Sequence, residues 1–356
     1  MAELYQGKFS GKEIDSRLDN VKRTCRFVIG TSTAGWTEAD CDYLCDGEAD
    51  DVEINAAIQA LPATGGEIVI LDGEYSIRAP IKVNKSYISI KGSGSTKFNK
   101  LFYSTGGELQ FFVYVTSDNC KIDNLIADNQ TADRDTNYSH GITMDTAPSK
   151  HCKISNCMVM GFRSGITSTS SSSGHHIICN NVVFADRGNG ILTSSNYMSI
   201  SNNLCLNVKN TGISASGTGS RIFSNSVTVQ EGGTDSIGLY LSGASQAVAV
   251  GNVVMGSAHQ STWFSASNSV LSNNVFYGFG TYGIFSNAGT HHSVIANNTI
   301  IKGNGSPSDY ASNEYPIYFT GGSNGVTFNI IAGNNIMGKN YSEAGTGNTW
   351  VNNKFE

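Results

Sequence analysis

What most constrains this chain is a phrase that keeps returning from about residue 119 onward. In order it reads CKIDNLI, CKISNCM, IICNNVVF, MSISNNLCL, RIFSNSVTV, VAVGNVVM, SVLSNNVF, SVIANNTI, IAGNNIM and TWVNNKF. Anchoring each copy on the residue after its hydrophobic-x pair marks Asn124, Asn156, Asn180, Asn202, Asn225, Gly251, Asn273, Asn297, Asn334 and Asn352, most of them 22–26 residues apart. A second phrase, glycine followed by Ile or Leu, keeps step at Gly141, Gly165, Gly190, Gly212, Gly238 and Gly283. Each unit therefore reads as a short strand, a turn, a second short strand opened by glycine, and another turn.

Such a unit is too short for a sandwich and lacks the helix of a βαβ crossover. It suits an all-β, single-stranded parallel β-helix of about ten coils over residues 119–356, each coil hydrogen-bonded to the next. Coils stacked at ~4.8 Å make a rod of roughly 45–50 Å. Asparagines stacked at one position form side-chain ladders and tolerate left-handed backbone at a turn. Cys120 and Cys152 share the column before KI and read as small buried apolar residues.

Residues 25–118 read as an N-terminal cap with the first coils, and residues 1–24 as a helical leader. SGKE, Ser10 to Glu13, is a capping box, and Ile14, Leu18 and Val21 form one stripe. A lone short helix is marginal in water, so this one is expected to pack on a partner, such as another copy of itself. CRFVIG, EIVILDGEYSI and SYISIKGSG read as strands.

Between these strands lies CDGEADDVEINAAI, with Asp46, Glu48, Asp50, Asp51 and Glu53 packed together. A calcium loop starting at Asp46 fails at its sixth place, Asp51 instead of glycine, and at its twelfth, Ala57 instead of glutamate. A helix start fits better. Asp50 caps, Glu53 reaches back, Ile54, Ala57, Ile58 and Leu61 form a face, and Pro62 with Gly65-Gly66 ends the helix. Such a helix would cover the open first coil.

The stretch running from this helix to GEYSI resembles the opening of pectate-lyase-like right-handed β-helices, especially bacteriophage and prophage tail-spike proteins. The matching pieces are Asp46-Gly47, Asp50-Asp51, Ala57-Ile58, Gly65-Gly66 and Gly73-x-Tyr75-x-Ile77, while Leu71-Asp72 stands where many relatives carry proline before Gly73. The resemblance implies a right-handed coil, a carbohydrate-facing surface and, from phage spikes, a homotrimer carried on the virion. The paired DD and GHG motifs of polygalacturonase-like members are absent, and SHGI at Ser139 to Ile142 replaces the latter poorly.

Composition narrows the partners. A net charge of −6 offers no basic face for nucleic acid. No apolar run reaches 18 residues, so no membrane insertion is expected. The N-terminus lacks a secretory apolar core, which makes reduced thiols the default for the 8 cysteines and cytoplasmic synthesis the expectation. Cys41/Cys45 and Cys152/Cys157 have no partner pair at zinc spacing, and no metal or cofactor is expected.

Function is expected in the turns between anchor strand and glycine strand, whose length varies most. In register, Asp133, Asp135, Tyr138, His140, Arg163, Asp186, Arg187, Lys209, Glu231 and Asp235 share one side of the rod. Carboxylates one or two coils apart lie ~5 or ~10 Å from each other, the separations glycosidases use. Asp133 or Asp135 with Asp186 is the catalytic pair expected, with Arg163 between them to hold an acidic sugar or act as a lyase base. The competing reading is a set of solvated surface ion pairs. Tyr138, Tyr277, Tyr282, Trp263 and Phe279 are candidates for stacking on sugar rings, although Trp263 and Phe264 stand where a core strand is due. His175-His176 and His291-His292 both precede an anchor strand, five coils and roughly 24 Å apart, too far for one ion. The function expected is binding, with cleavage, of a cell-surface polysaccharide by a phage tail-spike-like protein. A non-catalytic tail protein of the same fold, and a polysaccharide lyase or epimerase unrelated to phage, are the alternatives.

Overall fold

The computed structural model describes residues 25–102, 111–131, 139–144, 149–172, 174–230, 236–257, 259–287, 289–320 and 325–355. The leader helix expected over residues 1–24 lies outside them. Among the described residues three parallel sheets run side by side: sheet A with 14 strands, sheet B with 12 and sheet C with 11. Along the repeated coils, successive strands of each sheet are three apart in the chain, so every coil contributes one strand to each sheet. This is a right-handed parallel β-helix.

The unit has three strands, not the two expected. The asparagine turn divides each anchor phrase, as when Lys121–Asp123 joins sheet A and Ile126–Asn129 joins sheet B. The glycine phrase is the sheet C strand, as in His140–Met144. Alternation then sends one column per sheet inward. Ile122, Ile154, Ile178, Ile200 and Ile222 line sheet A, Val159, Val183, Cys205 and Val227 line sheet B, and Ile142, Ile166, Ile191 and Ile213 line sheet C, all buried. Cys120 and Cys152 are buried too, their thiols donating to the carbonyls of Lys85 and Ser117.

The double asparagine of the phrase carries two separate duties. The first residue turns the corner with positive φ: Asn124, Asn156, Asn180, Asn202, Ser224, Gly251, Asn273, Asn297, Gly333 and Asn352. Asparagine suits that conformation better than most residues. The second residue points inward and builds the ladder Asn181, Asn203, Asn225, Asn252, Asn274, Asn298, Asn334 and Asn353. Two of the expected anchors, Asn225 and Asn334, therefore belong to the ladder rather than the corner.

The acidic stretch opens a helix, α1 (Asp51–Ala60), but not through a capping box: Asp50 makes no side-chain cap hydrogen bond to it. Its carboxylate instead accepts from the backbone N–H of Gly47 (2.8 Å) and Ser76 (2.7 Å). Asp51 accepts from the N–H of Arg78, and Asn55 accepts from Lys82 and donates to the carbonyl of Pro80. Gln59 donates to the side chain of Asn84. Positions 51, 55 and 59 share one helix face. They satisfy groups along the uncovered margin of the first coil, while Ile54, Ala57 and Ile58 close its apolar end. The helix is the lid expected, attached by edge-mimicking side chains.

Asp123 is held in the wall of sheet A. Burial pushes its carboxyl up, but hydrogen bonds from Ser155 (2.7 Å), Asn156 (2.8 Å) and Lys121 (3.1 Å) outweigh this and hold it below the usual carboxylate range. A depressed folded pKa stabilises fully above the unfolded value, and that contribution is lost as pH falls through the folded one. Denaturant titrations of wild type and Asp123→Asn should therefore converge on going from neutral pH to below about pH 4. A difference that persists unchanged in acid would show that the carboxylate charge contributes nothing.

Candidate functional site

The turns from sheet B to sheet C hold the residues expected to carry chemistry. Asp133, Asp135, Tyr138, Glu231 and Asp235 lie outside the described residues. His140 opens its sheet C strand with its ring 5.8 Å from that of Phe111. Arg163 is half-buried: it donates to the carbonyl of Arg187 (3.0 Å), and the Asn210 amide oxygen, turned toward it, accepts at 2.6 and 3.0 Å. One guanidinium thus ties three successive coils. Asp186 pairs with Arg187 at 3.4 Å, and Lys209 is exposed one coil further on.

Beside these turns, on the outward face of sheet B, lies a groove of about 340 Å³ lined by Asp128, Met158, Met160, Gly161, Phe184, Asp186 and Asn207. Strand register aligns Asp128 with Met160 and Met160 with Phe184, so the floor spans three coils. Gly161 lets the turn come close, because a Cβ there would stand 2.6 Å from the carbonyl of Asn129. At the far end the register shifts between Cys205 and Val208, placing Asn207 at positive φ on the groove wall. A second hollow, lined by Asn124, Ile126, Asn156 and Met158 among others, adjoins through Met158.

Two carboxylates thus face one groove across an apolar floor. Two coils separate their strands, about 10 Å along the rod. Asp128 is held by Lys97 at 3.3 Å and accepts from Gln130 at 3.3 Å. Lys97 also lies 3.9 Å from Glu74. The arrangement can present a sugar ring to Met160 and Phe184 while a carboxylate approaches from either end. Asp128 and the methionines were missed in the sequence reading. For the methionines the signal was there in CMVMG, where Val159 takes the core position and both methionines must face out.

The aromatic candidates divide. Phe279 and Phe264 are core residues, Phe279 only 2% exposed, which removes Phe279 from the stacking set. Trp263 and Tyr282 lie on the outer side of sheet C, and Tyr277 is exposed on sheet B. The histidine pairs are offset by one residue: His175 and His292 are the corner residues with positive φ, whereas His176 is buried and accepts from the N–H of Cys152. Among the described residues, Cys45, Asp50 and Glu53 bring metal-ligating atoms within 4.8 Å of one another. Both Asp50 oxygens are already taken by backbone donors, and burial pushes the Cys45 thiol up, so these residues serve the lid. No helix among the described residues is long and apolar enough to cross a membrane.

The sequence matches the family model described as the right handed beta helix region, over residues 140–300 and 189–355, and the chain belongs to that family. No curated protein is matched by the sequence. Among solved structures, the fold is similar to the A-module of the mannuronan C-5 epimerase AlgE4 of Azotobacter vinelandii, with a TM-score of 0.62 and 16% identity over 90% of this chain and 99% of that one. It is also similar to DFA-IIIase of Arthrobacter chlorophenolicus A6, with a TM-score of 0.58 and 14% identity over 92% and 84% of the two chains. The Dettilon tailspike protein gp208 gives a TM-score of 0.57 and 16% identity, covering 84% of this chain and 66% of that one.

Proposed function

We propose that the protein binds and processes a polysaccharide in the sheet B groove, as a tail-spike-like protein directed at a cell-surface polymer. The observation that carries this reading is the pairing of Asp128 and Asp186 across a floor of Met158, Met160 and Phe184. Apolar side chains rimmed by carboxylates suit a ring with one apolar face and polar edges. The solved neighbours are consistent with it, one being a mannuronan epimerase and another a tailspike. Asp128 or Asp186 acts as general acid or base, with Asn207 holding a hydroxyl, in a glycosidase- or lyase-type cleavage. In the wider reading the chain works as a homotrimer on a virion; sedimentation of the purified protein tests the trimer.

One observation favours binding without cleavage. Each carboxylate has its own cation, Lys97 for Asp128 and Arg187 for Asp186, as in a surface that recognises without reacting. Incubating the protein with mannuronan and purified bacterial capsular and O-antigen polysaccharides separates the two. Release of new chain ends from a retained polymer, lost in Asp128→Asn and Asp186→Asn, supports processing. Retention without release supports the binding reading, and retention of no polymer overturns both.

A further inference from the structure

Four consecutive coils place an aromatic side chain at one outward position of sheet C: Tyr240, Trp263, Phe285 and Tyr318, aligned in register. The same position in the four preceding coils holds Thr143, Thr167, Leu192 and Ser214, and the coil before those holds Tyr114. Tyr282 and Tyr315 stand beside them in a second aligned column. Tyr282 and Tyr318 stack at 4.5 Å with planes 7° apart, Tyr315 stacks on Tyr318 at 5.4 Å, and Trp263 meets Phe285 edge-on at 4.8 Å. All six rings are half-buried, and the core behind them is filled by Leu239, Phe264, Ile284 and Ile317. The rings are therefore additional to the core.

The rim of this surface is polar. The Trp263 indole N–H donates to Ser265 (2.8 Å), whose hydroxyl bonds Asn287. Lys339 lies 4.2 Å over the Tyr315 ring while donating to the carbonyls of Ala311 and Ser312. Flat apolar faces with hydrogen-bonding edges, repeating at the coil spacing of ~4.8 Å, suit a row of sugar rings.

We propose that this aromatic platform is a second polysaccharide-binding surface, separate from the sheet B groove, that stacks on pyranose faces and retains the polymer along the rod. The coil carrying Tyr240 lies two coils from that of Asp186, about 10 Å along the axis. A chain long enough to occupy both gains avidity from linked sites, whereas a short oligosaccharide reaches one only. The inference rests on the carbohydrate reading above.

Affinity electrophoresis in gels containing the polysaccharides of the panel tests it, using full-length protein. Trp263→Leu and Tyr318→Leu should each weaken retention of the polymer roughly three- to tenfold. They should leave Asp128- and Asp186-dependent release from short oligosaccharides at its wild-type rate. Trp263→Phe keeps an aromatic ring and supplies a reading independent of folding: polymer shifts the indole emission of the wild type, and the shift should shrink in the variant, which retains Trp36 and Trp350. Wild-type retention by both leucine variants, or an emission response undiminished in Trp263→Phe, overturns the platform and leaves the groove standing. A wild type that retains no polymer overturns platform and groove together.

Discussion

Asn252→Ala should lower the unfolding free energy by roughly 3–5 kcal/mol. The Asn252 side chain donates to the carbonyl of Ile222 and to the Asn274 oxygen, both at 2.9 Å. Its own oxygen accepts from the backbone N–H of Asn225 (3.0 Å) and from the Asn225 amide (2.9 Å). Alanine leaves the buried Asn225 N–H without its acceptor, at about 1–3 kcal/mol, takes one donor each from the Ile222 carbonyl and the Asn274 oxygen, and opens a small cavity. Asn273 next door is the control. It is exposed with φ 55, so Asn273→Gly removes no buried partner and should change stability by under about 1 kcal/mol. Guanidinium melts of the two variants read the contrast. Equal losses would mean that the ladder is decorative.

Asp128→Asn and Asp186→Asn should each lower polymer cleavage by about 10²–10⁴-fold while leaving retention of the polymer near wild type. Asparagine keeps the shape and hydrogen-bonding reach of the side chain and removes only its charge and basicity. The folded state should tolerate both changes. The Asp186–Arg187 pair is roughly one-third exposed and contributes at most about 1 kcal/mol. The Asp128–Lys97 pair is better covered, and its loss leaves Lys97 near Glu74. A variant that keeps full turnover would remove that carboxylate from the chemistry, whatever its place in the groove.

The coil architecture was legible because stacking forces the same residue types back at the same turn. Ile122, Ile154 and Ile178 recur since each must fill the same space one layer up. The lid helix was legible for the same reason, as Ile54, Ala57 and Ile58 mark one face. Its attachment was not. Asp50 reads as a helix cap in one dimension, and only the fold brings Ser76 to it. The double asparagine blurred two columns, because corner and ladder sit one residue apart and both favour asparagine. The groove was half legible: Asp186 falls in a variable turn, whereas Asp128 belongs to a regular strand and carries no local signal. Arg163 is legible by its charge, whereas its partners Arg187 and Asn210, distant in the chain, are brought to it only by the fold.

The proposed groove is tested most directly by oxidative footprinting of the wild type with and without a retained polysaccharide, read by mass spectrometry. Methionine is the most readily oxidised probe in that groove, and Met158 and Met160 both line it. Polymer should protect Met158, Met160 and Phe184, while Tyr87, 61% exposed on a corner elsewhere, keeps its unbound rate. Unchanged oxidation of Met158 and Met160 in a complex that demonstrably holds the polymer would contradict the groove as the binding site.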